Sequence, residues 1–312
     1  NIFSLFIIIF ISYKMNRYSE YGNDAVAHFS YFYLISRILE NNKINLNLIS
    51  IISVFTFLNK STMIIILLVP LFFLIKNFKL KDLKIIYSLS SLLFIFWIIK
   101  NVIISGCMIY PLKQSCFENF SWTDINEVEY ESKSGEAWSK DWPNKIDKNI
   151  SMKKYNQNFN WISSWSKNHG IFIVNIILPY FLVIILIYYY LKHGNSKNLF
   201  SFKKNNHLIF LFIISLVGSI LFFLKFPLYR YGYSYLISSL ILFLLLSIRN
   251  IDKNRFNFIA KFMLILCIFV ISAKQTLRYA DNLNSNFQWP RIYSYEKNVK
   301  ITSKQINFNN HF

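Results

Sequence analysis

The chain is poor in the residues that punctuate soluble folds, with seven glycines and six prolines in 312 residues. It has three cysteines, no CxxC pair and no His/Cys cluster at zinc spacing, so nothing points to a structural metal. No phosphate-binding glycine loop, nucleotide fingerprint or Ser-His-Asp order is present, which disfavours ATP-driven chemistry. Acidic residues are scarce too, at 15 against 34 Lys and Arg, for a net charge of +19. Such an excess raises the question of nucleic acid, but its distribution argues against it. Residues 105–170 hold eight Lys and eight Asp/Glu and are neutral, while the other 26 basic and 7 acidic residues are spread over short loops and the tail. Short basic loops are the cytoplasmic signature of a membrane protein.

What the chain does have is apolar length. It is 54% hydrophobic and 19% aromatic, and several runs are too long and too uniformly apolar for a soluble core. The expected fold is all-α, a polytopic bundle of about nine transmembrane spans with one folded external loop. The spans fall at 1–13, 24–40, 45–59, 62–76, 84–104, 171–191, 207–224, 233–249 and 257–274. This divides the chain into N-terminal helices (1–104), a Trp-rich loop (105–170), C-terminal helices (171–274) and a tail (275–312). The first run starts at Asn1 and is too short to cross a bilayer. With no basic n-region or cleavage site before it, the chain reads as an N-terminally truncated fragment. The breaks 76–84, 192–206 and 249–255 are short and basic and share one side, assigned to the cytoplasm. The 105–170 loop, the 225–232 turn and the tail then lie outside.

Five of the seven tryptophans lie in the loop, and Trp161 and Trp165, four apart, would share a helical face that packs on the membrane surface or on a sugar. Cys107 and Cys116, on the external side and separated by Tyr110-Pro111, are placed for a disulfide, with two free thiols as the alternative. Cys267 lies in an apolar run and reads as core. The runs 45–59 and 62–76 are short, so Lys60 between them either faces a water-filled depression or snorkels to the headgroups. Arg230, set among alternating tyrosines with Lys225 close by, is either a phosphate grip or part of an interfacial aromatic belt. Asp24 and His28 share a helix face at the start of a span, where Asn23 or Asp24 also serves as an ordinary N-cap.

The ordered set Glu20-Tyr21-Gly22-Asn23-Asp24, Leu58-Asn59-Lys60-Ser61-Thr62, Lys100-Asn101, Ser105-Gly106-Cys107, Tyr110-Pro111, Cys116 and Tyr229-Arg230-Tyr231 resembles bacterial membrane proteins of the GT-C glycosyltransferase superfamily, relatives of the dolichyl-phosphate-mannose-protein mannosyltransferases. The resemblance implies a multi-pass enzyme of the bacterial cytoplasmic (inner) membrane. Such an enzyme moves a sugar from a polyprenyl-phosphate donor to a glycan, lipid or protein acceptor at the external face. It implies Lys60 and Arg230, with Lys225, as donor-phosphate contacts, and Asp24 as a catalytic or accessory carboxylate with His28 beside it. In that superfamily the catalytic carboxylate sits in the first external loop, and this chain starts after the corresponding position. No cofactor is implied and a divalent ion is left open. Membrane lipids are expected partners, and nucleic acid is not. The rival readings are an O-antigen ligase or polymerase and a lipid or glycan transporter or flippase, the last disfavoured by the lack of internal repeats.

Overall fold

The computed structural model describes residues 1–16, 24–40, 45–76, 89–192, 199–201, 206–248 and 250–283. The Glu20–Asn23 part of the family-like motif, Lys79, Lys81, Lys84, Lys197, Lys203, Lys204, Arg249 and the tail beyond 283 lie outside these residues. The described chain is all-α apart from one two-stranded ladder. Helices α1 (Ile2–Tyr13), α2 (Asp24–Glu40) and α3 (Leu46–Asn59) are followed by a 3-10 segment, Ser61–Leu67, that runs into α4 (Leu68–Lys76), and then by α5 (Leu89–Ser105). The polar insert contributes α6 (Ile125–Ser139), α7 (Met152–Asn156) and α8 (Ile162–Trp165). The membrane pattern then resumes with α9 (Ile171–Lys192), α10 (Asn206–Lys225), α11 (Tyr229–Ser247) and α12 (Lys253–Leu283). Among the described residues four helical stretches are long and apolar enough to cross a membrane: Ile162–Lys192, Asn206–Lys225, Tyr229–Ser247 and Lys253–Asp281.

The short hairpin of α3 and α4 turns on a single residue. Lys60 is extended (φ −151°, ψ 110°), closing α3 and opening the 3-10 segment at once. A 3-10 turn rises about 2.0 Å per residue against about 1.5 Å in an α-helix, so this conformation lengthens a run that would otherwise fall short of a bilayer. The ladder pairs β1 (Leu199–Ser201) antiparallel with β2 (Asn250–Asp252), joining the two basic breaks that follow α9 and α11 at one end of the bundle.

Residues Asn1–Cys267 form one compact unit, and Ile268 onward forms a second, described here as helix to Leu283. In the first unit α11 is the central helix. Its Ile237, Ile241 and Leu242 pack in one cluster with Phe3, Phe6 and Phe10 of α1 and with Leu34 and Ile35 of α2. Buried hydroxyls tie the helices: Tyr31 to Ser215 at 2.8 Å, and Tyr180 donating to the Phe6 carbonyl at 3.0 Å. Polar groups in such a core need partners, and these pairs supply them. Helices α10 and α11 approach closely through glycine. A Cβ on Gly218 would run into the Tyr235 ring, and one on Gly232 into the Phe222 ring.

The insert is a folded cap with its own small core of Ala137, Tyr155, Trp161 and Trp165. Trp161 and Trp165 pack edge-on at 5.7 Å and both lie against Phe223 of α10, so they are buried interior rather than a platform for sugar or lipid. The Trp165 indole N–H donates to the Pro227 carbonyl at 2.7 Å, fixing the cap to the turn before α11. Lys140 is buried beneath, 2.5 Å from Glu136 and 3.2 Å from the Asn156 carbonyl, with its ammonium 5.2 Å from the Trp161 ring centre. Cys107 and Cys116 are joined by a disulfide, and the strand-like pair they form is closed by Met108 N–H to Ser115 O and Phe117 N–H to Gly106 O. By loop-closure entropy a ring of this size stabilises the cap by about 2–3 kcal/mol.

Filling the α10–α11 contact should be costly in a way that filling open space is not. Gly218→Ala and Gly232→Ala should each destabilise the purified protein by about 1–3 kcal/mol through overpacking. Gly135→Ala, where a Cβ meets nothing within 4 Å, should not destabilise it. Thermal unfolding in detergent checks this, and equal midpoints for all three variants would contradict the packing described.

Candidate functional site

One cavity of about 700 Å³ opens between the membrane helices and the cap. Its floor is the Asn59–Thr62 turn. One wall is α10 and the start of α11, with Gly218, Leu221, Phe222, Lys225 and Arg230, and the facing wall is the disulfide loop and the cap helix α6. Asp24, Lys60, Lys225 and Arg230, separated by up to 206 residues in sequence, all line it.

Asp24 is the first residue of α2, where a carboxylate suits the positive end of the helix dipole. Its Oδ1 pairs with the Lys60 ammonium and its Oδ2 lies 3.7 Å from Arg230 Nε. The Lys60 side chain is 8% exposed. Burial is the main influence on it and lowers its ammonium to about 8, with Asp24 acting in the opposite direction and Arg230 adding to the fall. The Lys60 ammonium also sits 3.8 Å from the centre of the Tyr231 ring, and the Arg230 guanidinium lies 5.2 Å from the same ring.

Arg230 differs from its expected setting. The 225–232 segment is not a turn throughout, because α11 begins at Tyr229, directly after Pro227 and the extended Leu228. Arg230 therefore stands in the first turn of a helix, where the dipole disfavours a cation. Among the described residues Asp24 is the anion that offsets it. The tyrosines that alternate in sequence do not share a face on this helix. Tyr231 looks into the cavity, Tyr229 packs on Phe172, and Tyr233 and Tyr235 are buried in the core.

His28 is fully buried behind the cavity rather than lining it. Its Nε2 donates to the Arg230 carbonyl at 2.7 Å, so Nδ1 of the neutral ring accepts from the Ser234 hydroxyl at 2.9 Å. It holds the helix end that carries Arg230. Lys225 is exposed at the cavity edge and lies 3.5 Å from Glu136 of the cap. Glu136 also pairs with the buried Lys140, so one carboxylate links the cap's interior to the rim.

Several of these features are not visible in the linear pattern. Tyr231 as the ring beneath two cations, Glu136 as the link to Lys225, and Glu131, Ser132 and Gly135 on the cavity side of α6 appear only in the folded chain. Among the described residues no group of three or more His, Cys, Asp or Glu could hold a metal ion.

The model of the family described as Domain of unknown function (DUF8201) matches residues 1–237, and the chain belongs to that family. The matched stretch contains every residue that lines the cavity. No curated protein and no solved structure matches the chain.

The ion pair makes a thermodynamic prediction. Asp24→Asn leaves the buried Lys60 ammonium facing Arg230 with no counter-charge, which should destabilise the protein by on the order of 3 kcal/mol. Asp24→Asn combined with Lys60→Met should recover most of that loss. Thermal unfolding of the two single variants and the double variant would refute the coupling if the single effects simply added.

Proposed function

We propose that the chain is the membrane part of a glycosyltransferase that takes its sugar from a polyprenyl-phosphate donor, as the GT-C resemblance implies. The observation that carries this reading is the convergence of Lys60, Arg230 and Lys225 on one cavity whose remaining lining is largely apolar. Ile64, Ile65, Leu221 and Phe222 flank the cations on membrane helices, so a phosphate head and a prenyl chain find suitable surfaces side by side. Ser61 and Thr62 line the same turn, and the Thr62 hydroxyl has no hydrogen-bond partner among the described residues.

In the reaction the acceptor hydroxyl oxygen attacks the anomeric carbon, its proton passes to the Asp24 carboxylate, and the bond from that carbon to the phosphate oxygen breaks. Lys60, Lys225 and Arg230 stabilise the negative charge that gathers on the departing polyprenyl phosphate. Asp24 faces Lys60 and Arg230 with both oxygens, so its first role is to hold the cations apart and ready. A phosphate that displaces it inherits both.

Nine spans with the cavity at the external face remain the topology that best accommodates the sequence and the fold. The ladder pairs Leu199–Ser201 of the 192–206 break with Asn250–Asp252 of the 249–255 break, and none of the described residues of either lines the cavity. Basic short segments stay inside, which supports an external cavity and cap. The gathering of functional side chains at one end favours an enzyme over an alternating-access transporter, whose site would lie near the midplane.

Two measurements test these readings. Farnesyl phosphate, a short soluble stand-in for the donor lipid, should bind the purified full chain, and Lys60→Ala or Arg230→Ala should weaken it about ten- to a hundredfold. Arg230→Lys should recover only part, because the planar fork is lost. Affinity should also fall as pH rises through about 8 and Lys60 sheds its proton, with the bound phosphate moving that midpoint upward. Unchanged affinity in both Ala variants would reduce the two residues to structural cations. For topology, Lys148→Cys on the exposed cap should react with an impermeant thiol reagent in intact cells, and Asn254→Cys beside the ladder should not. The opposite pattern would invert the assignment.

A further inference from the structure

The cavity has two chemically different sides. Its membrane side carries the cations, whereas its cap side presents Glu131, Ser132 and Gly135 from α6 together with Tyr110 from the disulfide loop. Glu131 forms no ion pair with any cation among the described residues, in contrast to Asp24, Glu129 and Glu136, each of which meets two. The Tyr110 hydroxyl feels its charge: burial and the carboxylates of Glu131 and Glu127 raise the Tyr110 pKa.

Gly135 is unexpected at this place. A glycine inside a helix destabilises it by about 1 kcal/mol relative to alanine, and is ordinarily retained for close packing or for a left-handed backbone. Neither applies, since a Cβ on Gly135 would meet nothing within 4 Å and its φ is not positive. It lies one helical turn beyond Glu131, so the missing side chain leaves free room in the cavity directly beside an unpaired carboxylate. A carboxylate, a hydroxyl and an exposed aromatic ring that line the same part of the cavity, beside the open space at Gly135, suit a ring bearing several hydroxyls. The ring buries its apolar face on the aromatic and donates charge-assisted hydrogen bonds to the carboxylate.

We propose that Glu131, Ser132, Gly135 and Tyr110 form a second subsite, which binds the sugar-like, polyhydroxylated acceptor. This rests on the donor reading for its place in a reaction, but its chemistry is independent of the cations. A free glycan and a lipid-borne sugar present the same ring, so the ring is what the subsite recognises.

The experiment is saturation-transfer NMR on the full chain in nanodiscs of phosphatidylethanolamine and phosphatidylglycerol, which contain no sugar. Methyl β-glucoside, methyl β-galactoside and methyl α-mannoside are the free probes, and decyl β-glucoside is the lipid-borne one. At least one should receive saturation from the wild type, and a stronger effect on the decyl compound would mark a lipid-borne acceptor. Gly135→Trp, which fills the gap, should abolish the signal. Glu131→Gln should weaken binding by about tenfold or more, while both variants keep farnesyl phosphate affinity within about twofold, as expected for separate sites. An unchanged signal in both variants, or no signal from any glycoside with the wild type, overturns the subsite. Should Gly135→Trp fail to fold, the near-isosteric Glu131→Gln decides alone. If farnesyl phosphate does not bind the wild type, the donor reading falls, and the glycoside signal still decides the subsite.

Discussion

An aspartate set between a lysine and an arginine determines how this molecule is arranged. Asp24, Lys60 and Arg230 come from the ends of three different elements, and their charges meet where membrane helices give way to the cap. Each cation alone would be unfavourable. Lys60 is buried in a one-residue turn, and Arg230 stands at the positive end of a helix. Together they fix the relative height of α2, the α3–α4 hairpin and α11. Behind them His28 locks α2 to the Arg230 backbone, and above them Trp165 fastens the cap to Pro227, two residues from the start of α11. The cavity is the space these constraints leave open.

The same constraint explains why the site is chemically poised. Two cations sharing one carboxylate retain excess positive charge, and Lys225 adds a third at the rim, itself tethered to the cap through Glu136. On the proposed reading, incoming phosphate replaces Asp24 without any cation having to travel. Preorganised charge of this kind stabilises a leaving group more effectively than side chains that must first be ordered. In the proposed reaction, separation of a cationic membrane side from a carboxylate-bearing cap side gives donor and acceptor different surfaces within one cavity.

Much of the helical framework was legible from apolar runs alone, because a lipid-facing chain must stay helical wherever its backbone leaves water. Lys60, Arg230 and Asp24 stood out for a related reason: charges at the ends of apolar runs are expensive and therefore informative. Boundaries were less legible. Arg230 read as part of a turn because tyrosines and a glycine dilute the apolar signal, although the helix simply continues through them. The fates of Trp161 and Trp165 were hidden because their partner, Phe223, lies some 60 residues further along, in a different helix. Glu131 was invisible for the opposite reason. It is one of eight acidic residues in a neutral loop, and only the folded cap separates it from those that are ion-paired.

The account's central claim is that this cavity holds a lipid phosphate, with the chain of that lipid lying along α10 and the 3-10 segment. Photo-crosslinking of the full chain in vesicles with a diazirine-bearing polyprenyl phosphate, followed by peptide mapping, tests it directly. The predicted result is attachment within residues 61–65 and 218–226, suppressed by excess unlabelled polyprenyl phosphate and lost in the Lys60→Ala, Arg230→Ala double variant. Attachment spread evenly over the lipid-facing helices, indifferent to competitor and to both substitutions, would contradict it.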